Sequence, residues 1–415
     1  MPSQKPSSLA GNYLIPFVLV TSLFFLWAFV HNLEPILIPH LKKACQLTDF
    51  QSALIDSAVY LGYFLMALPA GFVMKKYGYK QGILIGLLLY ALGAFLFFPA
   101  ANTRIYALFL GALFIIASGC AFLETAANPY VTTLGEADSA TTRLNFSQSF
   151  NGLGAFIAPI IGGKFILSGI EHSPAELSAM SASQLNQYLQ SEADSVKIPY
   201  LIIGTVVLAV AVLIYLTKMP EAAAEQQTQG NSIAKVLQNK QLAWGVAAQF
   251  FYVGAQVCVT SFFIRFAKFT NNTPEKDAAQ LLAYAMFGFM LGRFVGTYLS
   301  RFVAANKLLF YYALACIALL AVAIINQSDL AIWAVFAVPF FQSIMFPTIF
   351  ALSIKNLGQD TQVGSSLVVM SIVGGAFCPL IMGWLSDQSN IKIAYIVPVL
   401  CFAFVAFYAR RSWKV

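Results

Sequence analysis

Charged side chains are scarce in this 415-residue chain, where Asp, Glu, Lys and Arg together make up 10% of the residues. Soluble domains contain about 25% of these residues, so the composition excludes an ordinary soluble protein. We interpret the net charge of +7 as basic loops beside a membrane rather than as a surface for nucleic acid. No nucleic-acid partner is expected.

Histidine and cysteine are also few, with three and six residues respectively. The cysteines stand singly and no histidine is grouped with them, so the chain has no spacing typical of a disulfide framework or a metal site. Nor do His, Asp and nucleophilic side chains cluster as a catalytic constellation would require. We therefore expect no metal and no cofactor, and the chain is not predicted to be an enzyme.

Long apolar runs are what the chain has in abundance, with 59% hydrophobic residues and a mean hydropathy of +0.74. A helix needs roughly 20 apolar residues to cross about 30 Å of hydrocarbon. Twelve runs reach that length and are numbered here as spans 1 to 12: 14–39, 50–74, 81–100, 104–134, 142–168, 198–217, 241–267, 278–300, 308–326, 330–354, 362–385 and 391–409. They predict an all-α membrane protein with twelve transmembrane helices.

A polar stretch divides these spans into two halves of six. We predict an N-terminal half over 1–217, a cytoplasmic linker over 218–240 and a C-terminal half over 241–415. Span 5 contains Gly-Ala-Phe at 154–156 and span 11 contains the same triplet at 375–377, each followed by Pro and Gly. Repeated halves with Gly/Pro-interrupted spans are typical of alternating-access transporters. The alternative is that Gly and Pro are simply common in membrane helices.

Basic residues indicate the orientation. Most of the lysines and arginines, including Lys75 and Lys76 after span 2, fall on one side when both termini are cytoplasmic. This bias has the sign of the positive-inside rule. We therefore expect a multi-pass protein of the cytoplasmic (inner) membrane with the lipid bilayer as its surroundings.

Span 4 carries an ionisable residue, Glu124, at membrane depth. Such a group costs several kcal/mol in hydrocarbon, so it normally faces a cavity or a partner. Burial disfavours the charged carboxylate, which suits a group that loads and releases a proton. Amides follow it at Asn128, Asn145, Gln148 and Asn151. The alternative is a structural glutamate neutralised by a helix neighbour.

Several motifs, in order over nearly the whole chain, resemble the fucose permease family of sugar:proton symporters within the major facilitator superfamily. The longest are LETAANPY at 123–130 and IKNLGQD at 354–360; the others include SLFFLW at 22–27, MKK at 74–76, RLN at 143–145, YVGAQ at 252–256 and GRF at 292–294. The resemblance implies the superfamily fold, with two halves of six helices. It also implies that the protein imports a monosaccharide together with protons and works as a monomer. L-Fucose is the expected sugar; glucose, galactose and N-acetylglucosamine are the alternatives.

The same resemblance implies roles for individual residues. Glu124 takes the position linked to proton coupling and sugar binding, and Asn32 and Gln148 take positions that hydrogen-bond sugar hydroxyls, which amides can do as donors and acceptors. Their alternative role is polar contact between helices. Trp27 and Phe346 are expected to stack on the sugar. Gln256 is expected to make a polar contact with the sugar, and Asn128 to support the Asn-Pro helix break. Structural or gating roles are expected for Arg293, Lys75 and Lys76.

Span 1 departs from the family pattern. The fucose transporters of the family carry Asn-Leu-Asn-Asp there, with the aspartate as the second proton site, whereas this chain has Asn32, Leu33, Glu34 and Pro35. Glu34 lies one residue earlier, a rotation of about 100° on a helix. Pro35 removes a backbone donor and can kink the span, which would turn Glu34 toward the cavity. We treat Glu34 as a second proton-coupling candidate, with His31 as its alternative; an uncoupled sugar facilitator also stays open.

Three charged residues near span ends receive simpler interpretations. Asp56 in span 2 is expected to be solvated at the outer membrane interface rather than to relay protons. Arg265 is expected to reach the outer surface. Arg293 in span 8 is expected to anchor the loop geometry of the cytoplasmic gate.

Overall fold

The structure is a computed structural model that describes residues 11–135, 140–170, 172–220, 236–355, 357 and 360–412. Within these residues all regular structure is helical. Eleven segments are long and apolar enough to cross a membrane. The remaining predicted span, span 5, is the 26-residue helix Ala140–Phe165. At 1.5 Å per residue it is about 39 Å long, so its length permits a crossing despite its polar side chains.

The helices follow the predicted order. In the first half they are Gly11–His31 and Glu34–Ala44 (span 1), Asp49–Tyr77 (span 2), Tyr79–Thr103 (span 3), Tyr106–Thr133 (span 4), Ala140–Phe165 (span 5), the loop helices Pro174–Ala179 and Ala182–Asp194, and Lys197–Leu216 (span 6). In the second half they are Lys240–Ser261 and Phe263–Asn271 (span 7), Glu275–Leu299 (span 8), Ala305–Ile325 (span 9), Asp329–Gln342 and Met345–Ile354 (span 10), Thr361–Met370, the 3-10 turn Ser371–Val373 and Gly374–Gln388 (span 11), and Ile391–Ala394 and Ile396–Arg411 (span 12). Of the predicted linker 218–240, residues 221–235 lie outside the described residues.

Span 1 is broken where the sequence analysis placed a kink. Its first helix ends at His31, and its second begins at Glu34 with Pro35 in the first turn. Proline is tolerated there because the first N–H groups of a helix have no intrahelical partner. The break leaves Glu34 only 5% exposed. The residue therefore faces the interior rather than lipid.

The two halves pack through spans 2 and 11 and through spans 5 and 8. The glycines of these spans lie at the contacts. A Cβ atom on Gly375 would come within 2.8 Å of the ring of Tyr60, and one on Gly163 would come within 2.9 Å of Ala279 Cβ. Small residues thus permit close approach of the helices at this boundary.

Polar contacts between the halves concentrate at one end, which we call the closed end and define by residues 42–57, 163–170, 261–277 and 383–388. The carboxylate of Asp387 accepts hydrogen bonds from the backbone N–H groups of Asp49 (2.7 Å) and Phe50 (2.8 Å) at the start of span 2. Lys43 Nζ lies 3.1 Å from Glu275 Oε2. These contacts join the first half to the second.

Arg265 is part of the closed end, and the expectation that it reaches the outer surface is wrong. It is 9% exposed, and its Nη1 donates to Asp49 Oδ1 at 2.7 Å and to Ser52 Oγ at 2.8 Å. The guanidinium turns inward because a carboxylate of the other half faces it. A charge-assisted hydrogen bond of this kind is stronger than one between neutral groups.

Candidate functional site

A cavity of about 770 Å³ lies between the two halves. Ligand pockets typically measure about 300–1,000 Å³, so a small solute fits. The cavity is lined by all the predicted substrate residues and two of the predicted gating residues, namely Trp27, Asn32, Glu124, Gln148, Gln256 and Phe346 together with Asn128 and Arg293. The structure therefore brings together side chains that lie far apart in sequence.

Glu124 is exposed to this cavity although it belongs to the middle of span 4. No hydrogen bond to its carboxylate is present within the described part of the chain. Its backbone oxygen accepts from Asn128 Nδ2 at 2.8 Å, and Asn128 Oδ1 accepts from Gln148 Nε2 at 3.0 Å. Asn128 thus ties span 4 to span 5 and fixes the amide of Gln148, which lines the same cavity as Glu124.

The cavity has aromatic walls on both sides. Trp27 is 4% exposed, and its ring centroid lies 4.4 Å from that of Phe24. Phe346 reaches the cavity from span 10 and packs near Tyr252, with centroids 6.3 Å apart. Flat apolar surfaces beside polar groups suit a solute with both apolar faces and hydroxyl groups.

Asn32 has a local structural contact as well as a place in the cavity. Its Nδ2 donates to the backbone oxygen of Ala28 at 2.7 Å, at the end of the first helix of span 1. The amide therefore stabilises the break in span 1. Its side-chain oxygen and the second N–H of Nδ2 remain for a solute in the cavity.

A smaller cavity of about 180 Å³ adjoins the central one toward the closed end. It is lined by His31, Glu34, Pro35, Asp56 and Ser261 among others. Nδ1 of His31 lies 3.0 Å from Oε1 of Glu34, which is an ion pair when the imidazole is protonated. The hydroxyl of Tyr60 lies 3.1 Å from Nε2 of the same ring. Glu34 and His31, the two candidates of the sequence analysis, thus form one unit.

Asp56 is buried, and the expectation that it is solvated at the membrane interface is wrong. None of the residue is exposed. It lies two turns into span 2, where span 7 covers it and Ser261 Oγ donates to its Oδ1 at 2.8 Å. Contact with the other half removes the water that a residue near a span end would otherwise have.

The predicted gating residues fall in two places. Arg293 lines both cavities. Its guanidinium lies 4.8 Å from the ring centroid of Phe289, a residue of the same helix. The preceding Gly292 packs against the backbone of Phe340, so the next side chain turns toward the cavity. Lys75 and Lys76 are exposed at the end of span 2, and neither lines either cavity.

Some cavity residues were not predicted as site residues. Asn151 lines both cavities; it follows Gln148 by three residues, and that helical spacing places it on the same face. Tyr60 also lines both, one turn after Asp56. Gln342 of span 10, the polar residue that precedes Phe346 by four residues, is fully buried and lines neither cavity. The side chain of Asn145 lies outside the described residues.

The chain is similar to known transport proteins. The family model described as the Major Facilitator Superfamily matches residues 18–372. The chain is 46% identical to the L-fucose-proton symporter of Escherichia coli K12 over 98% of this chain and 95% of that protein. It is 40% identical to a glucose/galactose transporter of Brucella abortus over the whole chain and 98% of that protein. A crystal structure of the transporter FucP in the outward conformation matches with a TM-score of 0.69 and 46% identity, covering 97% of this chain and 99% of that one.

Proposed function

The chain belongs to the Major Facilitator Superfamily, and we propose that it imports a monosaccharide together with protons by alternating access, with L-fucose as the best candidate. It is a transporter and not an enzyme. The identity of 46% with an L-fucose-proton symporter, against 40% with a glucose/galactose transporter, supports the choice of sugar. We propose that it works as a monomer in the inner membrane.

The observation that carries this function is the central cavity. It places the carboxylate of Glu124 and the amides of Asn32 and Gln148 opposite Gln256 and Phe346 of the other half. Amides and a carboxylate offer both donors and acceptors to hydroxyl groups. Because both halves contribute, a bound sugar contacts each half, and a rotation of one half against the other can move its access from one side to the other.

The closed end is, in this proposal, extracellular. Lys75 and Lys76 lie at the opposite end of span 2, where the positive-inside rule places the cytoplasm. Both termini are then cytoplasmic. In the proposed cycle, the contacts of Asp387, Arg265 and Lys43 with the opposite half shut the extracellular entrance while the sugar leaves toward the cytoplasm.

Glu124 and Glu34 are the proposed proton-coupling residues. In a cavity that is closed to water on both sides, burying an ionised carboxylate costs much more free energy than burying a protonated one. Protonation of Glu124 therefore permits the sugar-loaded protein to close on both sides before it opens to the other side. Glu34 contacts His31 at 3.0 Å and lines the small cavity beside the central one, which supports it as the second coupling residue.

Sugar-induced proton uptake into proteoliposomes tests the proposal. L-Fucose, D-glucose, D-galactose and N-acetylglucosamine are added in turn while the external pH is recorded. We expect alkalinisation with L-fucose, and its loss in Glu124→Gln, which keeps the shape of the side chain but cannot release a proton. Glu176→Gln is the matched control because Glu176 is exposed on a loop helix. Alkalinisation that persists in Glu124→Gln contradicts the role of this carboxyl.

A second candidate function, an uncoupled facilitator, is favoured by Pro35 alone, since the proline stands where the resembling fucose transporters carry an aspartate. It predicts uptake of radiolabelled sugar that is indifferent to the proton gradient. Uptake without external alkalinisation would decide for the facilitator. A response to glucose or galactose and not to L-fucose would retain symport and change the substrate.

A further inference from the structure

A second buried carboxyl, Asp56, lies at the boundary between the halves and has no part in the function proposed above. Its Oδ1 accepts a hydrogen bond from Ser261 Oγ at 2.8 Å. Its Oδ2 is buried and has no hydrogen-bond partner among the described residues. Because Asp56 belongs to span 2 and Ser261 to span 7, their contact crosses from one half to the other.

The charged and titratable groups around Asp56 come from every neighbouring span. They are Glu34 and His31 of span 1, Tyr60 of span 2, Tyr106 of span 4, Cys258 and Arg265 of span 7, and Arg293 of span 8, which lines the same small cavity. The three basic groups have other contacts: Arg265 donates to Asp49, His31 contacts Glu34, and the guanidinium of Arg293 lies 4.8 Å from the ring centroid of Phe289. Across the described residues, no cation forms an ion pair with Asp56.

The closed end is therefore compatible with Asp56 as a neutral acid. Burying a carboxylate without a cation costs several kcal/mol, whereas a hydrogen-bonded neutral acid costs much less. Separation of span 2 from span 7 would expose the same carboxyl to water. Closure and protonation of this residue thus favour each other.

We propose that Asp56 is a proton-binding carboxyl of the transport cycle, loaded from the extracellular side before the two halves close over it. The inference rests on the proposed symport function. Loading transfers one proton from hydronium to a carboxylate oxygen of Asp56 and leaves the acid neutral and one water molecule. Release returns the proton to a water molecule and restores the carboxylate.

A route for release is present. Asp56 lines the small cavity, whose volume of about 180 Å³ accommodates several water molecules at about 30 Å³ each. The small and central cavities share His31 and Tyr60 as lining residues. The small cavity thus lies between Asp56 and the Glu34–His31 pair, and the shared lining residues connect it to the central cavity.

Asp56→Asn tests the proposal in the full-length protein reconstituted in proteoliposomes. Asparagine keeps an oxygen that accepts from Ser261 but cannot take up a proton, so the halves can close without one. With radiolabelled L-fucose as the probe, we expect equilibrium exchange to persist, accumulation driven by an inward proton gradient to be lost, and fewer protons to enter per sugar. Asp277→Asn is the matched control, since Asp277 is an exposed carboxyl at the same end.

Infrared difference spectroscopy of the purified protein between acid and alkaline pH gives a readout independent of sugar. We expect the carbonyl band of a protonated carboxylic acid in the unmodified protein and in Asp277→Asn, with part of it lost in Asp56→Asn. An unchanged band and unchanged accumulation in Asp56→Asn overturn the inference. Loss of exchange in a folded Asp56→Asn variant also overturns it, because the residue is then needed for movement and not for coupling. If the unmodified protein accumulates no sugar, the proposed function fails, and the infrared band still decides whether Asp56 binds a proton.

Discussion

Arg265→Gln should shift the protein toward an arrangement that is open at the closed end. In the present structure the guanidinium donates to Asp49 Oδ1 and Ser52 Oγ at 2.7 and 2.8 Å. Both partners belong to the first half, whereas Arg265 belongs to the second. The hydrogen bonds therefore stabilise only the state in which the halves meet at this end.

The size of the expected shift depends on the contacts that Asp49 retains in the variant. Removing one partner of a buried ion pair costs about 3–5 kcal/mol when the other charge is left unpaired. Asp49 retains Lys42 Nζ and Ser386 Oγ, both at 2.6 Å, so the smaller value of about 1.5–3 kcal/mol for a hydrogen bond to a charged group applies. At 1.4 kcal/mol per factor of ten, the ratio of closed to open molecules should fall about tenfold to 150-fold.

Spin labels at Gln187→Cys and Gln388→Cys, one on each half near the closed end, report this equilibrium by double electron–electron resonance. Cys45, a partly exposed cysteine, is first replaced by serine. We expect a longer-distance population to grow in Arg265→Gln. Arg104→Gln is the control, because Arg104 donates to Asn186 of its own half. An unchanged distance distribution in Arg265→Gln, or an equal change in Arg104→Gln, would refute the reasoning.

Two further predictions concern the cavities. Trp27→Ala should raise the KM for sugar uptake about twofold to tenfold, from about 0.5–1.5 kcal/mol for an aromatic contact, while Trp27→Phe changes it less; an unchanged KM in the folded alanine variant contradicts a substrate contact. Pro35→Asp should restore proton-driven accumulation to Asp56→Asn, because Pro35 lines the same small cavity and an acid is favourable in the first turn of a helix. A double variant as uncoupled as Asp56→Asn alone would show that the two positions are not interchangeable.

The spans and the central carboxyl were predictable because they depend on local sequence. Apolar runs of about 20 residues need no tertiary information to be recognised. Glu124 stood out because a carboxylate in such a run requires a special environment. The break in span 1 was likewise foreseeable from Pro35, since proline removes a donor wherever it occurs.

The surroundings of Asp56 and Arg265 could not be predicted in this way. Both lie near span ends, where hydropathy indicates contact with water, and both are buried by residues more than two hundred positions away, Ser261 for Asp56 and Asp49 for Arg265. Such contacts depend on how the two halves meet. The direction of the Arg293 side chain was likewise not predictable, because it depends on the packing of the preceding Gly292 against span 10.

The two carboxyls at the centre of the proposals differ in what they contact, and this difference assigns them separate tasks. Glu124 faces the central cavity and its neighbours Asn128 and Gln148 belong to its own half, so we expect its protonation to respond to the sugar. Asp56 contacts the other half through Ser261, so we expect its protonation to respond to closure of the closed end. A carrier with only the first group would couple protons to binding but could close without a proton. With both, closure without a proton is costly, and uncoupled sugar leakage is suppressed by the geometry of the boundary itself.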